Sequence, residues 1–375
     1  MSVGRVAVLG ANGFIGARVV EMLHLGRGAD VRPIVRSAAS YAPLSRFALD
    51  GRVADGFDRE ALRRAFEGCD VVVHAIAGSP EVILGTLRPV YRAAGEAGVR
   101  RLIYLSSASV HGQAPRPGTD DDSPLDDRQP VEYNNAKVRA ERTLRRLRAG
   151  GQVEIVILRP GIVLGPRSQW VTRFADALLA GRAYLVSGGS GVCNGLYVDN
   201  LVHAIRLAMS ADAARVDGQA LLLGDAETVT WRDLYEPIAT FLGYDLARVP
   251  RVPPVSAAEW RTRQTGAPGV RRRLRGLLPE RVRRTISAAI GPSRPPRRSP
   301  WDIRAGGGPE ATLEMSLLHT CAYKLPHRKA TRLLGYEPLV GFHEGCRRTS
   351  AWMSFAGYPA ADECANEAAR RSEAG

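Results

Sequence analysis

No apolar run in this sequence approaches the roughly 20 residues a helix needs to cross a bilayer, and no charged leader precedes the first apolar segment. Both absences predict a cytoplasmic protein. Cysteine is sparse and scattered: Cys69, Cys193, Cys321, Cys346 and Cys364 are odd in number and show no Cys-x-x-Cys or His spacing that would suit zinc. No metal site is expected, and the thiols are expected to be free in a reducing compartment. Acidic residues are too few for neutrality, with 38 Asp and Glu against 52 Lys and Arg and a net charge of +14. The imbalance is local, because thirteen arginines between Val255 and Arg304 face only Glu259, Glu280 and Asp302. The rest of the chain is only mildly basic, so nucleic acid is not an expected partner.

What the chain does have begins with the apolar run Val6-Ala7-Val8-Leu9, followed by Gly10-Ala11-Asn12-Gly13-Phe14-Ile15-Gly16 and by Ala17-Arg18-Val19-Val20-Glu21-Met22-Leu23. This order predicts a strand, a glycine turn and an amphipathic helix. Glycines at every third position serve three needs: Gly10 lets the chain turn, Gly13 lets backbone approach a pyrophosphate, and Gly16 lets helix pack on strand. The phosphates of a dinucleotide would sit on the helix N-terminus. Asn12, Phe14 and Ile15, between those glycines, are candidate cofactor contacts.

A second strand is predicted over 31–36. About 20 residues past the glycines, dinucleotide folds usually place Asp or Glu on the adenosine ribose; here Arg36 and Ser37 stand there. A guanidinium that forks onto phosphate favours NADP over NAD, the alternative being a solvated strand-end arginine. Asp55 lies in a short strand and loop before a helical pattern over 59–66. A buried strand follows over 70–78, and its end, Ala75-Ile76-Ala77, lets a cofactor lie close to backbone. His74 reads as a packed histidine, since no second histidine or carboxylate accompanies it. A helix over 82–97 and a strand over 101–107 continue an alternation that predicts a parallel sheet covered on both faces. The polar stretch 115–130, with Asp120-Asp121-Asp122, predicts a surface loop near a site mouth. Beyond it come a helix from about Val131, a buried strand over 153–158, a late strand over 220–224 and a helix over 231–242 stopped by Gly243.

Tyr133 and Lys137 are four residues apart, which puts them on one helix face. A phenol of pKa about 10 is a poor base at neutral pH, and a nearby ammonium favours its phenolate. Ser107 stands 26 residues before Tyr133, at the carboxyl end of a predicted parallel strand, where such sheets bind ligands. Its hydroxyl can polarise a substrate oxygen.

The glycine loop, Leu105-Ser106-Ser107-Ala108-Ser109-Val110-His111-Gly112, the Tyr133/Lys137 pair and Leu158-Arg159-Pro160-Gly161-Ile162-Val163-Leu164-Gly165-Pro166 together resemble the extended short-chain dehydrogenase/reductases, the NAD(P)-dependent epimerase/dehydratase group. The resemblance covers about 3–243 and extends weakly to 329–336. It implies an α/β fold: a Rossmann-type doubly wound parallel sheet over 1–164 that returns through 192–226, and a smaller C-terminal substrate-binding part from 165–191 and 227–357. It implies that Ser107 orients the reacting oxygen, Tyr133 exchanges its proton, and Lys137 tunes Tyr133 and binds ribose. Gly10, Gly13 and Gly16 would carry pyrophosphate, Asp55 would lie near adenine, Pro160 would touch the cofactor, and Ser109, His111 and Asn194 become candidate substrate contacts. A homodimer through two sheet-covering helices suits the group.

Three departures narrow the expectation. Sugar 4,6-dehydratases of this group usually have an Asp-Glu pair where Ala108 and Ser109 stand, which disfavours dehydration. Sugar-nucleotide enzymes often hold the diphosphate with an arginine where this chain reads Gly191-Val192-Cys193-Asn194-Gly195; Asn194 can bond a phosphate without neutralising it. The helix from Val82 lacks an asparagine often found there for proton relay. The expected reaction is hydride transfer at a secondary alcohol or ketone, or an epimerisation that runs oxidation and reduction in turn. A nucleotide-linked sugar is the first substrate class, on family analogy, and a sterol-like or other lipid alcohol the second. A non-catalytic NADP-binding regulator is disfavoured because the tyrosine and the lysine are both present. In the Arg-rich insert 255–304, Leu274, Leu277, Leu278, Val282, Ile286 and Ile290 recur at roughly helical spacing, which suits peripheral attachment to an anionic membrane, a lid over the cleft, or a plain surface insertion. The tail 358–375 is expected to fray.

Overall fold

The computed structural model describes residues 4–265 and 311–361. The insert from 266 onward and the tail beyond 361 lie outside the described residues.

Strands β1 (Arg5–Leu9), β2 (Asp30–Val35), β3 (Arg52–Val53), β4 (Val71–His74), β5 (Arg101–Leu105) and β6 (Glu154–Pro160) are followed by four short ones, β7 (Ile162–Leu164), β8 (Leu185–Val186), β9 (Val192–Cys193) and β10 (Gly195–Tyr197), before β11 (Ala220–Leu223). Seven of them form one sheet in the order β11-β6-β5-β4-β1-β2-β3, and every pairing in it is parallel. Strand order reverses between β1 and β4, which opens a crevice at their carboxyl ends. Alternate residues of the central strands feed two cores. Val6 and Val8 pack with α1 (Phe14–Leu25) on one face, while Ala7 and Leu9 pack with α2 (Arg59–Phe66), α4 (Leu87–Glu96) and α5 (Glu132–Ala149) on the other. Burial on both sides is why these strands read as continuous apolar runs.

The helix expected over 82–97 is two helices, α3 (Pro80–Gly85) and α4, joined at Thr86. Pro89 has no N–H to give the Gly85 carbonyl and crowds it; at the junction Thr86 Oγ1 donates to the Val82 carbonyl at 2.9 Å.

Around a third core, α6 (Gln169–Leu179) packs with α9 (Trp231–Phe241), and the stacked rings of Phe174 and Tyr235 lie 3.8 Å apart. Between these two helices the chain forms α7 (Val198–Ser210), against α1, and the short α8 (Ala213–Val216). After α10 (Ala257–Thr265) come α11 (Leu313–His319), α12 (Arg328–Leu334) and α13 (Phe342–Phe355). Asp199 ties three helices together, accepting from Arg18 of α1 at 2.7 Å and from Arg348 of α13 at 3.2 Å. The segment before α12 reaches the turn that follows β5, where Tyr323 and Leu325 pack on Ala108. No helix among the described residues is long and apolar enough to cross a membrane.

Candidate active site

Gly10 closes β1 with φ +84°, and a Cβ there would lie 3.1 Å from the Ala75 and Ile76 backbone. Gly16 sits so close to the Gly10 carbonyl that a Cβ would run into it. The N–H groups of Gly10 and Ala11 both donate to the Ile34 carbonyl, at 3.2 and 3.3 Å, stitching the loop to β2. Helix α1 starts at Phe14 with Gly13 as its N-cap; no side chain caps it and no acid stands in its first turn. Its orphan N–H groups therefore meet an approaching anion with the positive end of the helix dipole. Asn12 and Gly13 are exposed beside them, with Phe14 and Ile15 half-buried. This cradle fits a dinucleotide pyrophosphate.

The other expected cofactor contacts stand at the same edge because every strand carrying them is parallel. Arg36 is exposed one residue past β2 and makes no ion pair among the described residues. Asp55 is exposed just past β3, its carboxylate accepting the Phe57 N–H at 3.0 Å. Ala75, Ile76 and Ala77 follow β4, and Pro160 is the buried last residue of β6.

Ser107 begins a short 3-10 turn after β5 that packs against α5, and its Oγ accepts the Ser109 N–H at 3.2 Å. With that lone pair used, the hydroxyl proton is available to a substrate oxygen. Lys137, fully buried on α5, donates to the Leu105 carbonyl at 2.7 Å and to Tyr104 Oη at 3.3 Å. Its Nζ stands 5.8 Å from the centre of the half-buried Tyr133 ring. Burial pushes the Lys137 ammonium down to about 7, with the Glu141 charge opposing. Burial, and then the neighbouring Lys137 charge, pushes His74 down to about 3, so that imidazole is neutral, with Nε2 3.3 Å from Thr86 Oγ1.

Behind these groups lies a polar network that sequence reasoning missed. Glu141 accepts from Ser106 Oγ at 2.6 Å and from Arg159 Nε and Nη2 at 2.9 and 2.7 Å. Arg159 Nη1 donates to the Asp121 carbonyl at 2.7 Å and lies 3.2 Å from His111 Nε2. One signal was readable: Glu141 follows Lys137 by four residues, so the face carrying Tyr133 and Lys137 continues into a carboxylate.

The network revises three expectations. Asp121 is not part of an exposed acidic loop; it is buried, its side chain accepting the Leu222 N–H while Asp120 and Asp122 stay exposed. His111 is turned toward Arg159. Burial and that guanidinium push it down to about 4, and because a guanidinium only donates, Nε2 must accept. Both ends of the Asn194 amide are engaged by main chain, Nδ2 donating to the Tyr323 carbonyl at 3.0 Å and Oδ1 accepting from Leu325 N at 2.7 Å. That asparagine holds the 321–325 segment, which removes it as the expected phosphate contact. Ser109 Oγ is buried with no hydrogen-bond partner among the described residues.

A seven-stranded parallel sheet with a glycine cradle at its switch point defines a dinucleotide-binding α/β protein. The chain belongs to the NAD dependent epimerase/dehydratase family, whose model matches residues 6–224, and it is an enzyme of the extended short-chain type that works with a nicotinamide dinucleotide. It is 34% identical over 227 residues to a 3-diazoavenalumate denitrifying reductase of a Streptomyces species, 56% of this chain and 73% of that protein. It is 30% identical over 261 residues to a 3 beta-hydroxysteroid dehydrogenase/Delta 5-->4-isomerase of Mycobacterium tuberculosis, 64% of this chain and 70% of that one. Among solved structures, a UDP-glucose 4-epimerase of Thermotoga maritima superposes with a TM-score of 0.67 at 20% identity, covering 94% of this chain and 99% of that one. At that identity the likeness speaks for the fold.

Proposed function

We propose that the protein is an NADP(H)-dependent reductase or dehydrogenase acting at the ketone or secondary alcohol of an apolar, non-nucleotide substrate. The observation that carries the reading is the convergence on one sheet edge of the glycine cradle, the proton-bearing Ser107 hydroxyl and the Lys137 ammonium beside Tyr133. A bound nicotinamide supplies hydride for the carbonyl carbon or accepts it from the alcohol. Ser107 donates a hydrogen bond to the carbonyl oxygen and so polarises it. Tyr133 gives its proton to that oxygen as negative charge develops, and Lys137 stabilises the phenolate left behind. In the oxidative direction Tyr133 takes the proton back.

The substrate class rests on two supports. The segment before Tyr197 offers no arginine, and its Asn194 is committed to main chain, so the segment itself brings no cation to a diphosphate. The two relatives above are, by name, a reductase and a hydroxysteroid dehydrogenase. This reading places the apolar alcohol ahead of the nucleotide-linked sugar that family analogy had put first. NADP is favoured by Arg36, exposed and without an ion pair among the described residues.

The test is a panel assay on the full-length chain with NADPH and NADH. Cyclic and aryl ketones and 3-oxosteroids form one arm, UDP- and dTDP-hexoses the other. Turnover in the first arm, faster with NADPH, is the expected result; turnover confined to nucleotide sugars would overturn the substrate assignment.

A further inference from the structure

The Lys137 ammonium carries three N–H donors. The Leu105 carbonyl takes one at 2.7 Å and Tyr104 Oη another at 3.3 Å, both from β5. The third remains for the side on which Tyr133 stands, 5.8 Å away at its ring centre. Tyr104 is fixed in turn: it is 1% exposed, its ring meets His74 edge-on at 5.3 Å, and Nζ lies 4.8 Å from its centre. The Leu105 carbonyl belongs to the strand and is present whatever the side chain. The Tyr104 hydroxyl is a side-chain choice, since phenylalanine would pack equally well and hold nothing.

We propose that Tyr104 is a positioning residue of the catalytic centre: its hydroxyl, together with the Leu105 carbonyl, anchors two of the three Lys137 donors to β5 and so aims the third at Tyr133 and the cofactor ribose. This rests on the catalytic reading of Tyr133 and Lys137. Tyr104 touches neither substrate nor cofactor and acts through the lysine alone. Burial pushes its own phenol well above the ordinary value, so it serves as a fixed neutral dipole. The titratable and charged groups facing Lys137 are Tyr133 and Glu141 on α5, Tyr104 on β5 and His74 on β4. Of these, Tyr104 can be made inert without changing charge or shape.

The experiment measures NADPH affinity from its fluorescence, from mildly acidic to alkaline pH. It uses the full-length wild type, Tyr104→Phe, Lys137→Met and the double variant, with thermal melts to confirm folding. Tyr104→Phe is expected to weaken NADPH binding about tenfold at neutral pH, the low end for the loss of one hydrogen bond to a charged group. It should also move the alkaline fall in affinity about one unit lower, because the ammonium has lost an acceptor. In the Lys137→Met background the same change should do nothing. A role confined to packing would lower the melting temperature and leave the alkaline limb in place, overturning the proposal. If Lys137→Met itself leaves NADPH affinity unchanged, the catalytic reading of Lys137 fails first; if it lowers affinity and Tyr104→Phe does not, only the positioning role fails.

Discussion

Replacing Glu141 by Gln tests the network behind the site without any knowledge of substrate. The Glu141 side chain is 0% exposed and that of Arg159 2%, with 2.7 Å between Nη2 and Oε2. Glutamine keeps the shape but turns one acceptor into an N–H donor facing a guanidinium that only donates. Arg159 would keep the Asp121 carbonyl and His111 Nε2 and lose the only carboxylate bonded to it among the described residues. Breaking one partner of a buried ion pair costs about 3–5 kcal/mol, which in a chain of this size lowers the melting temperature by about 4–6 °C. Burial alone would raise the Glu141 pKa; the bonds from Arg159 and Ser106 outweigh it and hold the carboxyl below its ordinary 4.5. A depressed folded pKa means that the stabilisation is complete above the unfolded value and is lost as pH falls through the folded one. The gap between wild type and Glu141→Gln should therefore be full at neutral pH and close in acid. Urea unfolding of both single variants and of Glu141→Gln/Arg159→Met reads this directly, and the double variant should recover much of the loss. A cost under about 1 kcal/mol at neutral pH, as for a solvent-screened pair, or a gap that widens in acid, would refute the reasoning.

Further outcomes follow from the proposed site and the insert. Tyr133→Phe should abolish turnover and leave NADPH affinity nearly unchanged, as steady-state assay and fluorescence titration would show; retention of most of the rate would remove Tyr133 as the proton donor. Arg36→Asp should weaken NADP binding by about 1.5–3 kcal/mol and shift preference toward NAD, whereas equal wild-type affinity for the two would contradict the role of Arg36. For 255–304, each arginine near an anionic surface contributes about 1 kcal/mol at best, within a Debye length of roughly 8 Å. Co-sedimentation with anionic vesicles should therefore be lost at high salt and on deletion of 271–298, and binding that ignores both would dismiss the membrane role.

The fold was legible because its signals are local. Fully buried parallel strands write continuous apolar runs, and Gly10 and Gly16 mark places where a Cβ meets backbone. Tyr133 and Lys137 could be paired from one helical turn. The rest depends on partners far apart in sequence: Arg159 meets His111 from 48 residues away and Asn194 meets Leu325 from 131. No periodicity announces such meetings, and Asp121 looked solvated between two aspartates that are. The break at Thr86 is different, since its cause, Pro89, lies only three residues away in the sequence.

Ser106 and Ser107 are the same side chain one residue apart, and the strand's alternation gives them opposite lives. Ser106 is 4% exposed and bonded to Glu141, while Ser107 is only half-buried and opens the turn at the crevice. A slip of one residue in β5 would put Ser107 in the place of Ser106, hiding its hydroxyl against a buried carboxylate and leaving Ala108 at the crevice. The backbone bond from Ser106 N–H to the Leu158 carbonyl, at 2.8 Å, and the side-chain bond to Glu141 both oppose that slip. Composition alone would call the pair redundant; their bonding makes the inner serine the guardian of the outer one's address.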